Sequence, residues 1–352
     1  MADIVIAADT LRAFTAAVFA KAGFSKEDAT IQADVLVWAN LRGIDSHGVL
    51  RIPWYVELID AGQMKPHPDI KVLVETSATM LVDVDHGPGP VVTTKVMQWA
   101  MSKARHAGIG WAFIRNTSHQ GALGYYTALA AQAGMAGIAI VCSPPNMAPY
   151  GAKAPGVHNS PISIAVPAGR HERVLLDLAT SVAAGGKLQL ARDKGVPIPS
   201  DWALDKQGNP TTDAKDASVL LPMAGPKGSG LAFMFECLSS LVVNNPLVAP
   251  GLTGKEITRL HRQNGIVAAI DLGRFVDLEE YCEHVDTTVD GVKGLPRVEG
   301  VSEIFVPGEP EDKTQRERER HGIPIPAGTI RRIRPVADRL GVPIPQAFAR
   351  IA

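Results

Sequence analysis

Asn116-Thr-Ser-His119-Gln-Gly121-Ala-Leu-Gly124-Tyr-Tyr126-Thr-Ala-Leu-Ala-Ala-Gln-Ala-Gly134 is the stretch on which the reading of this chain turns. It opens with small polar residues. A helix follows from about Ala122, where Leu123, Tyr126, Leu129, Ala130 and Ala133 share one apolar face, and Gly134 ends it. Trp111-Ala-Phe-Ile114 before it and Gly137-Ile-Ala-Ile-Val-Cys142 after it are apolar runs of strand length. Strand, loop, helix and strand in that order point to an α/β architecture. His119 falls just before the helix, where unpaired amides and the positive dipole end collect anions and favour a neutral imidazole. Gly121 and Gly124 let a ligand approach the backbone.

The alternation continues on both sides. Pro90–Ala107 reads as a helix ending at Gly108, and Gly230–Val243 and Leu278–Val289 as two more. Ile70–Val74, Met80–Val84, Ile162–Val166, Val174–Leu178 and Ile266–Ile270 read as strands. The first 65 residues look all-helical instead. One helix spans Leu11 to Ala22. A second opens on the capping sequence Ser25-Lys-Glu-Asp28 and runs to about Arg42; a third runs from near Ser46 to Gly62. Pro66-His-Pro68 separates the two regions, and a last helix covers Thr329–Leu340. The run Thr314-Gln-Arg-Glu-Arg-Glu-Arg320 alternates in sign, as a solvated helix face does.

Composition narrows the function classes. The 352 residues carry a net charge of −1, with 46% hydrophobic and 20% charged residues, the balance of a water-soluble globular protein of two domains. No global basic field suggests nucleic acid, and no apolar stretch approaches membrane-spanning length. Met1–Asp9 has no basic flank and too short an apolar run for a secretory leader, so a cytoplasmic location is expected. Cys142, Cys237 and Cys282 are far apart among apolar residues, which suits buried free thiols better than disulfides or a reactive cysteine.

Three groups of residues offer chemistry. His119 is one. The second is Ser46, His47 and Arg51. Four residues apart on a helix, His47 and Arg51 point the same way, and Tyr55 continues the row. An arginine fork matches a carboxylate, and a histidine one turn away reaches the oxygen on the neighbouring carbon, which suits a 2-oxo or 2-hydroxy acid. The third is Gly225-Pro-Lys227-Gly228-Ser-Gly230 at a helix start, which suits a phosphate or pyrophosphate and equally a plain turn. It is not a Walker loop, and no G-x-G-x-x-G follows a strand anywhere in the chain. Asp45, His47, Asp83, Asp85, His86 and His119 are metal-ligand types without the spacing of a zinc site, so no metal is expected.

Taken together, several segments resemble one family: the malate/L-lactate dehydrogenase-like NAD(P)-dependent oxidoreductases, which are distinct from the Rossmann-type enzymes of similar name. The matching stretches are Asp45–Tyr55, Ser118–Tyr126, Leu176–Ser181, Ile198–Trp202 with Gly208–Thr212, Gly225–Leu231 and Val306–Glu309, in order over roughly residues 5 to 325. The resemblance implies a helical N-terminal domain (1–75, rejoined by a returning segment 322–352) on a non-Rossmann mixed-sheet cofactor domain (76–321), and a homodimer. It implies proton transfer by His119 or His47, both of which match positions with that role. Ser46, Arg51 and Tyr55 match substrate-orienting positions. Ser143, Asp177, Leu178, Ala179, Lys227, Gly308 and Glu309 match cofactor contacts.

The activity implied is hydride transfer between a nicotinamide and C2 of a small malate- or lactate-like acid. A cyclic imine carboxylate or ureidoglycolate-type substrate is the alternative. A metal-dependent hydrolase and a non-catalytic relative are the readings from other classes. Relatives often carry Gly-Thr-Asn-Pro where this chain has His158-Asn-Ser-Pro161, so His158 is a candidate substrate contact. Arg170 and Arg173 precede Asp177 and are candidates to meet a 2′-phosphate, which favours NADPH over NADH.

Overall fold

The computed structural model describes residues 3–254 and 262–350. The first two residues of the leader reading and the last two of segment 322–352 lie outside that range. The chain begins with strand β1 (Ile4–Ile6), followed by helices α1 (Ala8–Lys21), α2 (Lys26–Leu41) and α3 (Ile52–Asp60). Next come β2 (Lys71–Glu75), β3 (Thr79–Asp83), α4 (Gly89–Ala107), β4 (Ile109–Thr117), α5 (Gly124–Gln132), β5 (Met135–Cys142), β6 (Ile162–Pro167) and β7 (Arg173–Leu178). Then follow α6 (Gly185–Lys194), β8 (Ala203–Leu204), β9 (Val219–Leu220), α7 (Pro226–Glu236) and α8 (Val248–Leu252). The chain closes with β10 (Gln263–Asp271), α9 (Leu278–Lys293), α10 (Glu309–His321), β11 (Ile323–Ile325) and α11 (Ala327–Arg339).

Seven strands form one mixed sheet in the order β2-β3-β4-β10-β5-β6-β7. Among the described strands of this sheet only β3 and β4 pair in parallel, and α4 makes the crossover between them that a parallel pair requires. Strand alternation sorts the residues of the central strands onto two faces. Ala112, Ile114, Ala139, Val141, Val267 and Ala269 pack under α4 and α5. Ile140, Cys142 and Ile266 face the other way, onto Phe235 of α7.

The helical part has its own core. Leu11, Phe14, Val18, Leu36, Ile52, Tyr55 and Met64 pack with Ile323, Ile330, Ile333 and Phe348 from the end of the chain. β1 and β11 close the junction as an antiparallel pair, Ile4 opposite Ile325. Local chemistry sets the ends: the Ser25 hydroxyl accepts from the Asp28 amide to cap α2, and Gly108 adopts φ +82° to stop α4. A smaller cluster of Met147, Val157, Leu188, Ile198, Ala203 and Leu220 forms a lobe beside the sheet.

Four expectations need correction. The first 65 residues are not all helical, because Ile4–Ile6 is a strand paired with β11, and Cys237 and Cys282 are only half-buried, unlike Cys142. No α-helix starts near Ser46; Asp45–His47 and Val49–Arg51 are two short 3₁₀ turns, and α3 begins only at Ile52, with Pro53 in its first turn. Gly48 between them is extended, which breaks any continuous helix. The alternating-charge helix α10 is not simply solvated. Its Asp312 and Arg318 turn inward to Arg42 and Asp45.

Candidate active site

His119 lies on the loop between β4 and α5, as the sequence requires. That loop is held very tightly. A side chain on Gly89 would come within 2.1 Å of the His119 carbonyl oxygen, so the first turn of α4 rests directly on the histidine backbone. The Ser118 hydroxyl joins the two, accepting from the Gly89 amide at 2.8 Å and donating to the Gly87 carbonyl at 2.9 Å. Gln120 is buried, its amide bonded to Gln263 and its side-chain oxygen to Thr93.

Residues far apart in sequence meet at this loop. The Tyr55 hydroxyl lies 2.7 Å from His119 Nδ1, and the Gly121 amide donates to the same nitrogen at 3.3 Å. An amide can only donate, so in the neutral ring Nδ1 accepts and the proton sits on Nε2. The His47 ring stacks on His119 with centroids 5.5 Å apart and planes 21° off parallel. Trp54 meets His119 edge-on at 5.3 Å and carries the Arg51 guanidinium over its face at 5.2 Å. Arg51 Nε donates to the Ser46 carbonyl at 2.7 Å, and the Ser46 hydroxyl sits 3.0 Å from His47 Nδ1. Ser46, His47, Arg51, Tyr55 and His119 therefore form one cluster. Its members on the first segment come together through consecutive tight turns rather than one helix face.

Burial tunes these groups. His47 is pushed down to about 4, first by desolvation and then by the positive charge of Arg51, so it is neutral at physiological pH. Burial raises the Tyr55 hydroxyl well above its usual range, with Arg51 pulling the other way. Cys142, desolvated beneath the sheet, is pushed up to about 12 and is an inert thiol.

Two neighbours of the cluster carry little sequence signal. Trp54 reads as an ordinary core aromatic. A side chain on Gly186 would come within 2.5 Å of Ser46 Cβ, which places the start of α6 against the Ser46 turn. Only the pair of glycines at 185–186 hints at such a close approach.

The positions matched to cofactor contacts lie at the ends of β5 and β7 and the starts of α7 and α10. The Ser143 hydroxyl donates to the Arg262 carbonyl at 3.4 Å. Asp177 accepts from the Gly124 amide at 2.7 Å and so caps α5, and burial raises its carboxyl to about 6. Leu178 closes β7, and Ala179 and Thr180 lead on to the α7 turn, where the Met223 amide donates to the Thr180 carbonyl at 2.9 Å. Lys227 stands exposed in the first turn of α7. The Gly308 carbonyl accepts from Arg42 Nη2 at 3.3 Å. Glu309 bonds to Lys293 at 2.7 Å and to the Val306 amide at 2.9 Å, which outweigh burial and hold its carboxyl below the usual range.

A dinucleotide fits this donor set. A lysine at a helix start suits a pyrophosphate, carboxylates suit ribose hydroxyls, and the buried Thr180 hydroxyl just past β7 has no hydrogen-bond partner among the described residues. The remaining candidates are engaged elsewhere. Arg170 pairs with Asp290 at 2.6 Å and Arg173 with Asp312 at 2.7 Å. His158 Nδ1 is 3.3 Å from the Ser160 hydroxyl. Among the described residues no group of three histidine, cysteine or acidic side chains could hold a metal ion.

This fold and cluster have counterparts in known proteins. The family model of malate/L-lactate dehydrogenase matches residues 6–334. The chain is 37% identical over 330 residues to the L-sulfolactate dehydrogenase of Methanocaldococcus jannaschii, covering 93% of this chain and 94% of that one. It is 36% identical over 348 residues to a malate dehydrogenase of Pyrococcus horikoshii, covering 95% of each. The crystal structure of malate dehydrogenase from Entamoeba histolytica superposes with a TM-score of 0.93 at 28% identity, over 97% of this chain and 99% of that one. The chain belongs to the malate/L-lactate dehydrogenase family. It is a nicotinamide-dependent oxidoreductase, which displaces the hydrolase and non-catalytic readings.

Proposed function

We propose that the chain interconverts a small 2-oxo acid and its 2-hydroxy acid, with His119 as the proton carrier, Arg51 as the carboxylate clamp and His47 as a neutral hydrogen-bond partner. The contact between Tyr55 and His119 Nδ1 carries this assignment. The resting ring, neutral with its proton on Nε2, first takes a second proton at Nδ1; the charged ring then gives the Nε2 proton to the substrate oxygen and is left neutral with its proton on Nδ1, facing Tyr55. Tyr55 donates to the resting Nε2–H ring and accepts from Nδ1–H of the charged ring and of the ring just after transfer, so the ring keeps its orientation throughout. His47 stays neutral, since the Arg51 charge and burial oppose its protonation. Arg51 spends Nε on the Ser46 carbonyl and keeps its two Nη nitrogens for a carboxylate, which fixes C2 beside His119. The nicotinamide supplies the hydride when bound. Lys227, Asp177 and Glu309, with Ser143, Leu178, Ala179 and Gly308 beside them, are the residues proposed to hold it. The relatives' names support a malate- or sulfolactate-type acid.

The carboxylates around Arg170 and Arg173 support NADH over NADPH, against the leaning of the sequence, because a 2′-phosphate would compete with Asp290 or Asp312. Residues 1–75 with 322–352 are taken as the substrate-side unit and 76–321 as the cofactor unit. A homodimer is supported by Phe233, Met234, Leu238, Leu241 and Val242, which lie exposed along α7 and its continuation. Three unpaired cysteines suit the cytoplasm.

Fluorescence titration with NADH and NADPH tests the cofactor reading before any acid is chosen. Saturable binding, tighter for NADH, is expected; no binding of either at millimolar concentration overturns it. In a panel of 2-oxo acids and cyclic imines, His119→Ala should lose about 10²–10⁴-fold in kcat. His47→Gln should lower kcat/KM without moving the pH profile between about 5.5 and 8, because its charge change lies near 4. A limb of that profile lost with His47 instead would reverse the two roles.

A further inference from the structure

The alternating-charge run at 314–320 has no part in the chemistry above, yet it reaches the substrate turn. Arg318 of α10 grips Asp45 with two bonds, Nη1 to Oδ1 at 2.7 Å and Nη2 to Oδ2 at 3.0 Å. The same Nη1 donates to the Asn40 carbonyl at the end of α2. Asn40 completes the arrangement, with Nδ2 on Asp45 Oδ1 at 2.7 Å and Oδ1 on the Val49 amide at 2.8 Å. Three side chains thus hold both ends of the segment that carries Ser46 and His47.

That segment has little support of its own. Its two 3₁₀ turns are closed by two bonds each, His47 to Ile44 at 2.9 Å and Gly48 to Asp45 at 3.2 Å in the first, Arg51 to Gly48 at 3.0 Å and Ile52 to Val49 in the second. An exposed ion pair contributes little, but this arginine side chain is only 15% exposed and makes a planar two-point contact, which fixes direction as well as distance. The next residue after Asp45 is Ser46, whose carbonyl holds Arg51 Nε. A rotation of Asp45 is therefore passed to the guanidinium through one peptide unit.

We infer that Arg318 is a positioning residue for the substrate clamp: through Asp45 it sets the turn that aims Arg51 and His47, from a helix more than 250 residues away in sequence. This rests on Arg51 being the carboxylate clamp. The opposite end of α10 carries Gly308 and Glu309, so one helix spans from the proposed cofactor contacts to the substrate turn.

Arg318→Met, Arg318→Lys, Asp45→Asn and the exchanged pair Asp45→Arg with Arg318→Asp test it in the full-length protein. Hydrogen exchange of the amides 45–51 should speed up by about tenfold or more in Arg318→Met, while the sheet amides keep their rates. KM for the 2-oxo acid should rise by about tenfold, with kcat and the NADH dissociation constant within about twofold, and the exchanged pair should recover part of the loss. Arg318→Lys should fall in between, because it keeps the charge and loses the fork. Unchanged exchange at 45–51 overturns the inference. So does faster exchange with an unchanged KM, or a parallel loss of NADH affinity, since either describes a merely structural contact. If the wild type binds no nucleotide, the oxidoreductase mechanism fails on that titration, whereas the exchange rates at 45–51 still decide whether Arg318 holds the turn.

Discussion

Arg51 shows how a single residue joins the fold to the chemistry. Its Nε is tied to the Ser46 carbonyl and its flat face lies over Trp54, so only its two Nη nitrogens remain to meet a carboxylate. A lysine would keep the charge and lose both the tether and the planar pair of donors. Arg51→Lys should therefore raise KM for the 2-oxo acid by about 10–100-fold, with the nucleotide dissociation constant unchanged. A KM equal to that of the wild type would remove Arg51 as the clamp. The residue types of this cluster were legible in the sequence, since histidine, arginine and serine in one short segment already suggest acid recognition. The Tyr55–His119 bond was not, because 64 residues separate its partners and no local pattern encodes it. Tyr55, expected to orient substrate, lies 2.7 Å from His119 Nδ1 and is proposed to orient the histidine.

Among the elements, the junction of α4 with the His119 loop is one of the tightest. The groups that a Gly89 side chain would strike are the backbone of His119 and Gln120, which cannot swing aside as a flexible side chain would. Gly89→Ala should cost about 1–3 kcal/mol of stability and move His119 away from Tyr55, lowering kcat more than KM. Gly230→Ala in α7, where nothing lies within 4 Å, is the control and should be neutral or slightly stabilising. Thermal melts with steady-state kinetics on the two variants separate the cases. If the two behave alike, the close approach at Gly89 has no functional weight. Strand and helix periodicity placed most elements within a few residues, α4 and β6 among them. It failed at Asp45–Arg51, where a helical spacing was realised as two tight turns, and at α10, whose alternating charges conceal an inward-facing Asp312 and Arg318.

At the scale of the whole molecule, Asp177 connects the end of β7 to the start of α5, five residues after His119. Its carboxyl is raised from 3.8 to about 6, by burial against the opposing pull of the Gly124 amide and Arg42. The folded state therefore holds that proton more tightly than the unfolded chain. The charge cost is fully present above pH 6 and relieved as pH falls toward 4. Asp177→Asn keeps an oxygen for the Gly124 amide and removes the charge. Tm should rise by about 2–4 °C at pH 8 and change little at pH 4. A loss of stability at pH 8 would mean that the ionised carboxylate is worth more to α5 than its burial costs.

The sequence by itself determined the α/β class, most helix and strand segments, and the residue types suited to recognising and protonating a small acid. It could do so because periodicity, caps and residue chemistry act over a few neighbouring residues. Only the tertiary structure decided which histidine is tied to Tyr55 and that His47 is desolvated beside Arg51. It alone brought the start of α6 against Ser46 and Arg318 from the chain's last fifth onto Asp45, beside the turn that carries Ser46 and His47. Those facts depend on burial and on contacts between segments tens to hundreds of residues apart, and no local pattern records them.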